Sequence, residues 1–386
     1  MINYGSQYID NKDIQSVTKV LKSNWLTQGP QVEKFEKVLK NYFGANYCAV
    51  VNSGTAALHL ACLAIGCKEN DIIITTPISF LASANATIYT GASPLFVDID
   101  SKNYCIDLKK LEKKLLELKK RKRKVKAVIA TDFAGQTCDW KRMKQLSKKF
   151  GFFTINDNCH AFGSKYYNDR RYAAKYADIV THSYHPVKAI TTGEGGSLFT
   201  NNKFFFKKAV LLRTHGIYRS SLLKNRFGNW YYEMRELGYN YRLSDIACAL
   251  GVSQIKKIKK FLAKRKYIAN FYNRNFKKNN NIITPYIEKY CSHSYHLYLL
   301  KINFKRLKLN KKKFFNDLLK KNINLQVHYI PIHLQKYYKK KFGFTLGNFP
   351  VAEKFYQEVV SLPIFYSLKK KQMNKVIKLI NFYTKK

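Results

Sequence analysis

Lys188 stands in the stretch THSYHPVKAITTGEGG, residues 181 to 196, between a short apolar approach (Ala177, Ile179, Val180) and a glycine-rich exit (Gly193, Gly195, Gly196). A lysine amine becomes a nucleophile when its surroundings lower its pKa, and it can then condense with an aldehyde. Ser183, five residues earlier, carries a hydroxyl suited to a phosphate oxygen, and the glycines let the backbone pass close to a planar ligand. In a chain with 70 lysines and arginines, the competing reading of this segment alone is one lysine among many.

Other segments supply complementary chemistry. Tyr47 to Val51, a short apolar strand, leads directly into Asn52-Ser53-Gly54-Thr55 and the helical run AALHLACLAIG. A small-residue turn that opens a helix presents free N–H groups at the positive end of the helix dipole, which makes a phosphate site. Ser53 or Thr55 reads equally as a plain N-cap. Phe80, at the turn after a strand over 72–75, could stack on a flat ring or lie in the core. Asp157, at the end of a further strand within NDNCHAFGS, could hold a pyridinium nitrogen protonated, beside His160. The alternatives there are an N-cap and a core histidine. His328-Tyr329-Ile330-Pro331-Ile332-His333 is a loop that could face the ligand or form ordinary surface. Together, an anion turn, a ring stacker, a carboxylate, Ser183 and Lys188 are the parts that a pyridoxal 5'-phosphate site needs.

The elements that must position these groups follow from the hydrophobic periodicity. Strands over 47–51, 72–75, 94–98, 127–131 and 152–155 alternate with helical patterns over 32–43, 56–66, 108–126 and 140–150. That alternation predicts an α/β fold with a mostly parallel sheet sandwiched by helices, and ligands gather at the carboxyl ends of such strands. In the basic run 108–126, leucines at 108, 111, 115 and 118 keep helical spacing, which predicts a solvated helix with one buried stripe. A long basic helix over roughly 252–278 leads to a strand over 295–302 and a helix over 311–320. The expected organisation is an N-terminal arm and large cofactor-binding domain over 1–250, then a smaller α/β domain over 251–386.

Composition narrows the class. With 386 residues, 46% of them hydrophobic, and 28 Tyr and 26 Phe, the chain is a folded globular protein. The net charge of +46 would suggest nucleic acid or an anionic membrane, but the lysines are spread along the whole chain without a recognition-helix or zinc signature. No specific nucleic-acid partner is expected. Eight scattered cysteines without a C-x-x-C pair predict neither a metal site nor a disulfide framework. The first residues have no signal-peptide pattern and no apolar run approaches the ~20 residues of a membrane span, so a cytoplasmic protein is expected.

In this order the motifs closely resemble those of the DegT/StrS-type nucleotide-sugar aminotransferases, fold type I among pyridoxal phosphate enzymes. The resemblance runs over nearly the whole chain, through LTQGP, NSGTAALHLA, TPISFLASANA, DNCHAFG, SYHPVKAITTGEGG, GYNYRLSDIACALG, HSYHLY and VHYIPIHLQ. The pairing of SYHPVKAITTGEGG with GYNYRLSDI is most similar to the subgroup acting on UDP-4-keto-6-deoxy-N-acetyl-L-altrosamine in pseudaminic acid synthesis. The resemblance implies that Lys188 joins the cofactor aldehyde and then shuttles the proton of amino transfer, with L-glutamate as donor. It places Asp157 at the pyridine nitrogen, His160 at the ring hydroxyl, Phe80 over the ring face, and Gly54, Thr55 and Ser183 at the phosphate. Asn240 would reach that phosphate from the partner subunit of a homodimer with shared sites. Thr27, His185 and Tyr329 are the candidate substrate contacts. Asn156 stands where a Glu is common, and Asn158-Cys159 where two small residues are usual, but Asp157 and His160 are intact. A branch with histidine in place of the lysine performs dehydration, and Lys188 argues against it. Other readings are amination of a different nucleotide keto-sugar (3-keto, or dTDP- or GDP-linked), or a non-catalytic, nucleic-acid-binding regulator on the same fold.

Overall fold

The computed structural model describes residues 1–385. Its central sheet has seven strands: β1 (Tyr47–Val51), β2 (Ile72–Thr75), β3 (Ser93–Phe96), β4 (Val125–Thr131), β5 (Phe153–Asp157), β6 (Ile179–Ser183) and β7 (Gly196–Thr200). Their order is β1-β7-β6-β5-β4-β2-β3. The pairs from β3 through β6 are all parallel, whereas β7 runs antiparallel to both β6 and β1. Two reversals make β1 run the same way as β6, so every strand except β7 ends on one edge.

Successive residues of a strand point to opposite faces, and the two layers of core follow that rule. Val50, Ile74 and Val128 pack with Phe35, Leu111 and Trp140 on one side. Their neighbours Val51, Ile73 and Ile129 pack with Ala57, Leu60 and Phe205 on the other. Every residue of β2 and β7 is buried, as in a sheet covered on both faces.

The basic run 108–126 divides into the helix Leu108–Lys120, capped by Asp107, and the start of β4. Leu111, Leu115 and Leu118 form its buried stripe. The basic helix expected over 252–278 starts at Ile258 and runs to Phe276, after a separate helix Asp245–Ile255 capped by Ser244. The longer of the two runs from the main core at Ile258 into a smaller one at Ile268, Tyr272 and Phe276. That smaller core surrounds a three-stranded antiparallel sheet of Ile282–Ile283, Tyr298–Ile302 and Val359–Leu362. Ile2–Asn3 pairs parallel with Ile323–Asn324, and Ile2 is buried in the same core, so the first residues of the chain pack on its C-terminal part.

Among the described residues no helix is long and apolar enough to cross a membrane, all eight cysteines are free, and no cluster of His, Cys, Asp and Glu could hold a metal ion.

Candidate active site

The shared strand edge opens into a cavity of about 440 Å³. Residues just past β1 and β2 and at the ends of β4, β5 and β6 line it: Gly54, Phe80, Thr131, Asp157 and Ser183. Lys188 enters from the loop between β6 and β7, and Tyr329 from the C-terminal part of the chain.

At one end is an anion cradle. Ser53 is the N-cap of the helix Gly54–Ala64, its Oγ accepting the Ala56 N–H at 3.0 Å. Ser53 is thus the N-cap, and Gly54 and Thr55 face the cavity, so capping leaves the turn free to meet an anion. Gly196 is paired with Val51 on one side and Ser183 on the other. A Cβ on Gly196 would stand 2.3 Å from the Ser53 carbonyl oxygen, and one on Gly54 would stand 2.7 Å from Ser183 Cβ. Only glycine at both positions lets three segments close up and place the Thr55 and Ser183 hydroxyls beside a helix N-terminus.

At the other end, Asp157 is buried at the tip of β5. Its Oδ2 accepts Ser83 Oγ–H at 2.7 Å and Thr131 Oγ1–H at 3.4 Å, and its Oδ1 accepts the Cys159 N–H at 3.3 Å. Ser79 joins Ser83 (2.8 Å) and Thr131 (3.1 Å), so the carboxylate is held by a hydroxyl network. The unusual Asn156 and Asn158 turn away from the cavity. Their amides donate to the fully buried Asp132 at 3.0 and 2.7 Å, alongside Tyr172 O–H (2.7 Å) and Trp140 Nε1–H (2.9 Å). They anchor the turn behind Asp157 instead of altering the pocket.

Lys188 is half-buried. Burial lowers its amine below the ordinary lysine range; Cys159 and Asp157 oppose that shift, and Arg265 adds to it. The loop carrying it is pinned by Tyr184, which donates to the Gly195 carbonyl (2.8 Å), meets Ser197 Oγ (2.5 Å) and accepts the Thr192 N–H (3.0 Å).

His160 is pushed well below the ordinary histidine range by burial, then by the nearby Lys188 and His328. The Ala134 N–H points at its Nδ1 (3.4 Å), which assigns the ring proton to Nε2, 3.1 Å from the Tyr329 hydroxyl. Both ring nitrogens are thus partnered, and Tyr329 carries the polar edge of His160 into the cavity. Phe80 is 55% exposed, with its ring centroid 6.0 Å from that of Tyr329, so it is no core residue. It stands at the mouth, where a flat ligand would find its face.

His185 is exposed at the rim of the cavity. Thr27 and Asn240 are exposed and lie outside it: Thr27 bridges to Ser244, and Asn240 bridges to Thr214 while its carbonyl accepts Asn52 Nδ2–H at 3.3 Å. Sequence reasoning missed Thr131, Ser79, Glu194, His296 and Tyr4 as lining residues. Thr131 was within reach of the rule that strand ends carry ligands; the others have no local mark.

These residues fit pyridoxal 5'-phosphate. The cradle suits its phosphate, the buried carboxylate its ring nitrogen, the amine its aldehyde and Phe80 its ring face.

A model of the DegT/DnrJ/EryC1/StrS aminotransferase family matches residues 7–381. A Campylobacter jejuni protein named UDP-4-amino-4,6-dideoxy-N-acetyl-beta-L-altrosamine transaminase is 42% identical over 364 residues, 94% of this chain and 92% of its own. Among solved structures, Helicobacter pylori PseC, described as an aminotransferase involved in the biosynthesis of pseudoaminic acid, superposes with a TM-score of 0.90 at 32% identity, covering 100% of this chain and 99% of its own. The PLP-form of the putative sugar aminotransferase Spr1654 from Streptococcus pneumoniae superposes with a TM-score of 0.88 at 26% identity, covering 100% and 98%.

Proposed function

The chain belongs to the DegT/DnrJ/EryC1/StrS aminotransferase family, and from that premise we propose that it moves an amino group from L-glutamate to the 4-keto carbon of a UDP-linked 4-keto-6-deoxy-N-acetylhexosamine, in pseudaminic acid-type surface-glycan synthesis. It is a pyridoxal phosphate-dependent sugar aminotransferase. The observation that carries the chemistry is the meeting of Lys188, Asp157 and the Gly54–Ser183 cradle in one cavity. The choice of sugar is supported by the 42% identity to the Campylobacter transaminase.

When bound, the cofactor supplies an electron sink for the charge left as the donor's Cα proton departs. Gly54, Thr55 and Ser183 would hold its phosphate, and the Asp157 carboxylate would keep its ring nitrogen protonated. The Lys188 amine, made less basic by burial, would accept the donor's Cα proton and, once protonated, serve as the acid of the transfer. Phe80, at the cavity mouth, would cover the open face of the ring. His160 orients the Tyr329 hydroxyl, and with His185 this residue meets the sugar at the rim.

Asn240 serves the site of a second copy, forming a homodimer with shared sites. The segment leading to Asn240 supports this, because it leaves Trp230 80% and Leu237 77% exposed, and large apolar side chains grouped on a surface mark an interface. Its test is complementation. Mixed subunits of Lys188→Ala and an Asn240 variant that loses cofactor would place both lesions in one site and none in the other. They should regain up to about half of wild-type activity per heterodimer, by the site count of a twofold dimer. Confirmed subunit exchange without recovery would put both residues in one chain's site.

The substrate reading is tested with UDP-, GDP- and dTDP-linked 3-keto and 4-keto sugars, each with glutamate, and products read by mass. We expect the UDP-linked 4-keto sugar to be aminated with the highest kcat/KM. Preference for a GDP- or dTDP-linked sugar, or for a 3-keto sugar, would overturn it.

A further inference from the structure

Arg265 lies on the helix Ile258–Phe276 and is 4% exposed. Its guanidinium donates only to main-chain carbonyls: Nη1 to Tyr295 (3.2 Å), His296 (3.0 Å) and Ile364 (3.0 Å), and Nη2 to Val187 (3.4 Å). Among the described residues no carboxylate is its partner. Charges are costly to take out of water and buried ones are normally paired, so an arginine spent on four carbonyls calls for a physical reason.

The places those carbonyls occupy supply one. Tyr295 and His296 lead into the strand Tyr298–Ile302, and Ile364 follows the strand Val359–Leu362, both of the smaller sheet. Val187 immediately precedes Lys188 in the loop above the larger sheet. A planar fork with five donors can span such a set, and a single ammonium cannot.

We propose that Arg265 is a positioning residue for Lys188: its guanidinium clamps the lysine loop to the smaller core and stands as an unneutralised positive charge behind the reactive amine. The electrostatics agree. Burial lowers the Lys188 amine first, and Arg265 lowers it further, against Cys159 and Asp157. The histidines on which the Lys188 charge acts, His160, His182, His296 and His328, are each held below the ordinary histidine range, chiefly by burial. They stay neutral near neutral pH, which leaves Arg265 as the fixed cation acting on the amine. A less basic Lys188 has a larger neutral fraction, the form that attacks and accepts protons.

The inference rests on Lys188 being the reactive amine, as proposed above, but not on the identity of the sugar. The experiment is acetylation of the full-length protein freed of cofactor, with acetic anhydride over a pH series and Lys188 modification read by mass spectrometry. Circular dichroism and a melting curve report folding. In Arg265→Met the Lys188 profile should move to higher pH, with labelling at neutral pH falling several-fold and the melting temperature lowered. Arg265→Lys keeps the charge without the fork, so it should return the profile towards wild type while the melting loss remains. If Arg265→Met fails to fold, Arg265→Gln, a planar donor without charge, takes its place under the same expectations. Lys188 profiles that coincide in the charged and uncharged variants, shifted or not, would overturn the proposal. A wrong sugar or donor would leave these profiles untouched, so that failure is separable.

Discussion

Lys188→Ala is expected to lower kcat by more than about 10²–10⁴-fold, the range that one positioned proton-transfer group supplies by itself. The same amine also provides the covalent attachment, so the proton-transfer share is a lower bound. Neither His160 nor Arg265 can stand in. His160 is neutral, buried and committed at both nitrogens to Ala134 and Tyr329, and Arg265 is tied to four carbonyls. Lys188→Arg should not rescue, because a guanidinium does not give up its proton in proteins. The phosphate cradle and Asp157 are untouched by either change, so the variants should still bind cofactor without the covalent link. The measurement is release of 2-oxoglutarate from glutamate beside cofactor content after gel filtration. Turnover at the wild-type level in Lys188→Ala would remove the assignment.

Asp157→Asn should lower kcat by about 10²–10³-fold, the cost of deleting one preorganised group that stabilises charge developing in a reaction. The amide is nearly isosteric, and its oxygen can keep the 2.7 Å contact with Ser83. It cannot carry the negative charge that holds a proton on a ring nitrogen. The substitution also removes a charge from a buried place, so the melting temperature should be unchanged or raised while turnover falls. That divergence separates an electronic role from a structural one. Loss of activity accompanied by a matching loss of stability would mean that Asp157 serves the fold.

Much of this site was legible because its parts are local. A strand, a small-residue turn and a helix follow one another within 47–64, and a short apolar run, then Asn-Ser-Gly-Thr, then a longer apolar run of helix formers marks that succession: strand and helix are each buried on nearly every side. Asp157 and Lys188 were visible for the same reason, each beside a strand end. The strand β7 was not. Its glycine-led sequence reads as an exit from the lysine loop, and only its pairing with both β1 and β6 shows that Gly196 must lack a side chain. The basic run 108–126 hid a boundary, because lysines and arginines sit as readily at a helix end as in the turn that precedes β4.

The sequence by itself determined the class of chemistry: a small-residue turn, a carboxylate and a lysine, each following a strand of a mostly parallel sheet. Tertiary structure alone decided how those groups are surrounded. It brought Tyr329 to His160 across 169 positions and Arg265 to Val187 across 78. It exposed Phe80 at the cavity mouth, turned Asn156 and Asn158 onto Asp132, and left Asn240 outside its own chain's pocket. The physical reason is one of range. Hydrophobic periodicity records which face of an element is buried, since burial acts residue by residue. Which distant carbonyl, hydroxyl or ring then fills the space beside a given side chain depends on how the two cores pack together, and no local pattern carries that.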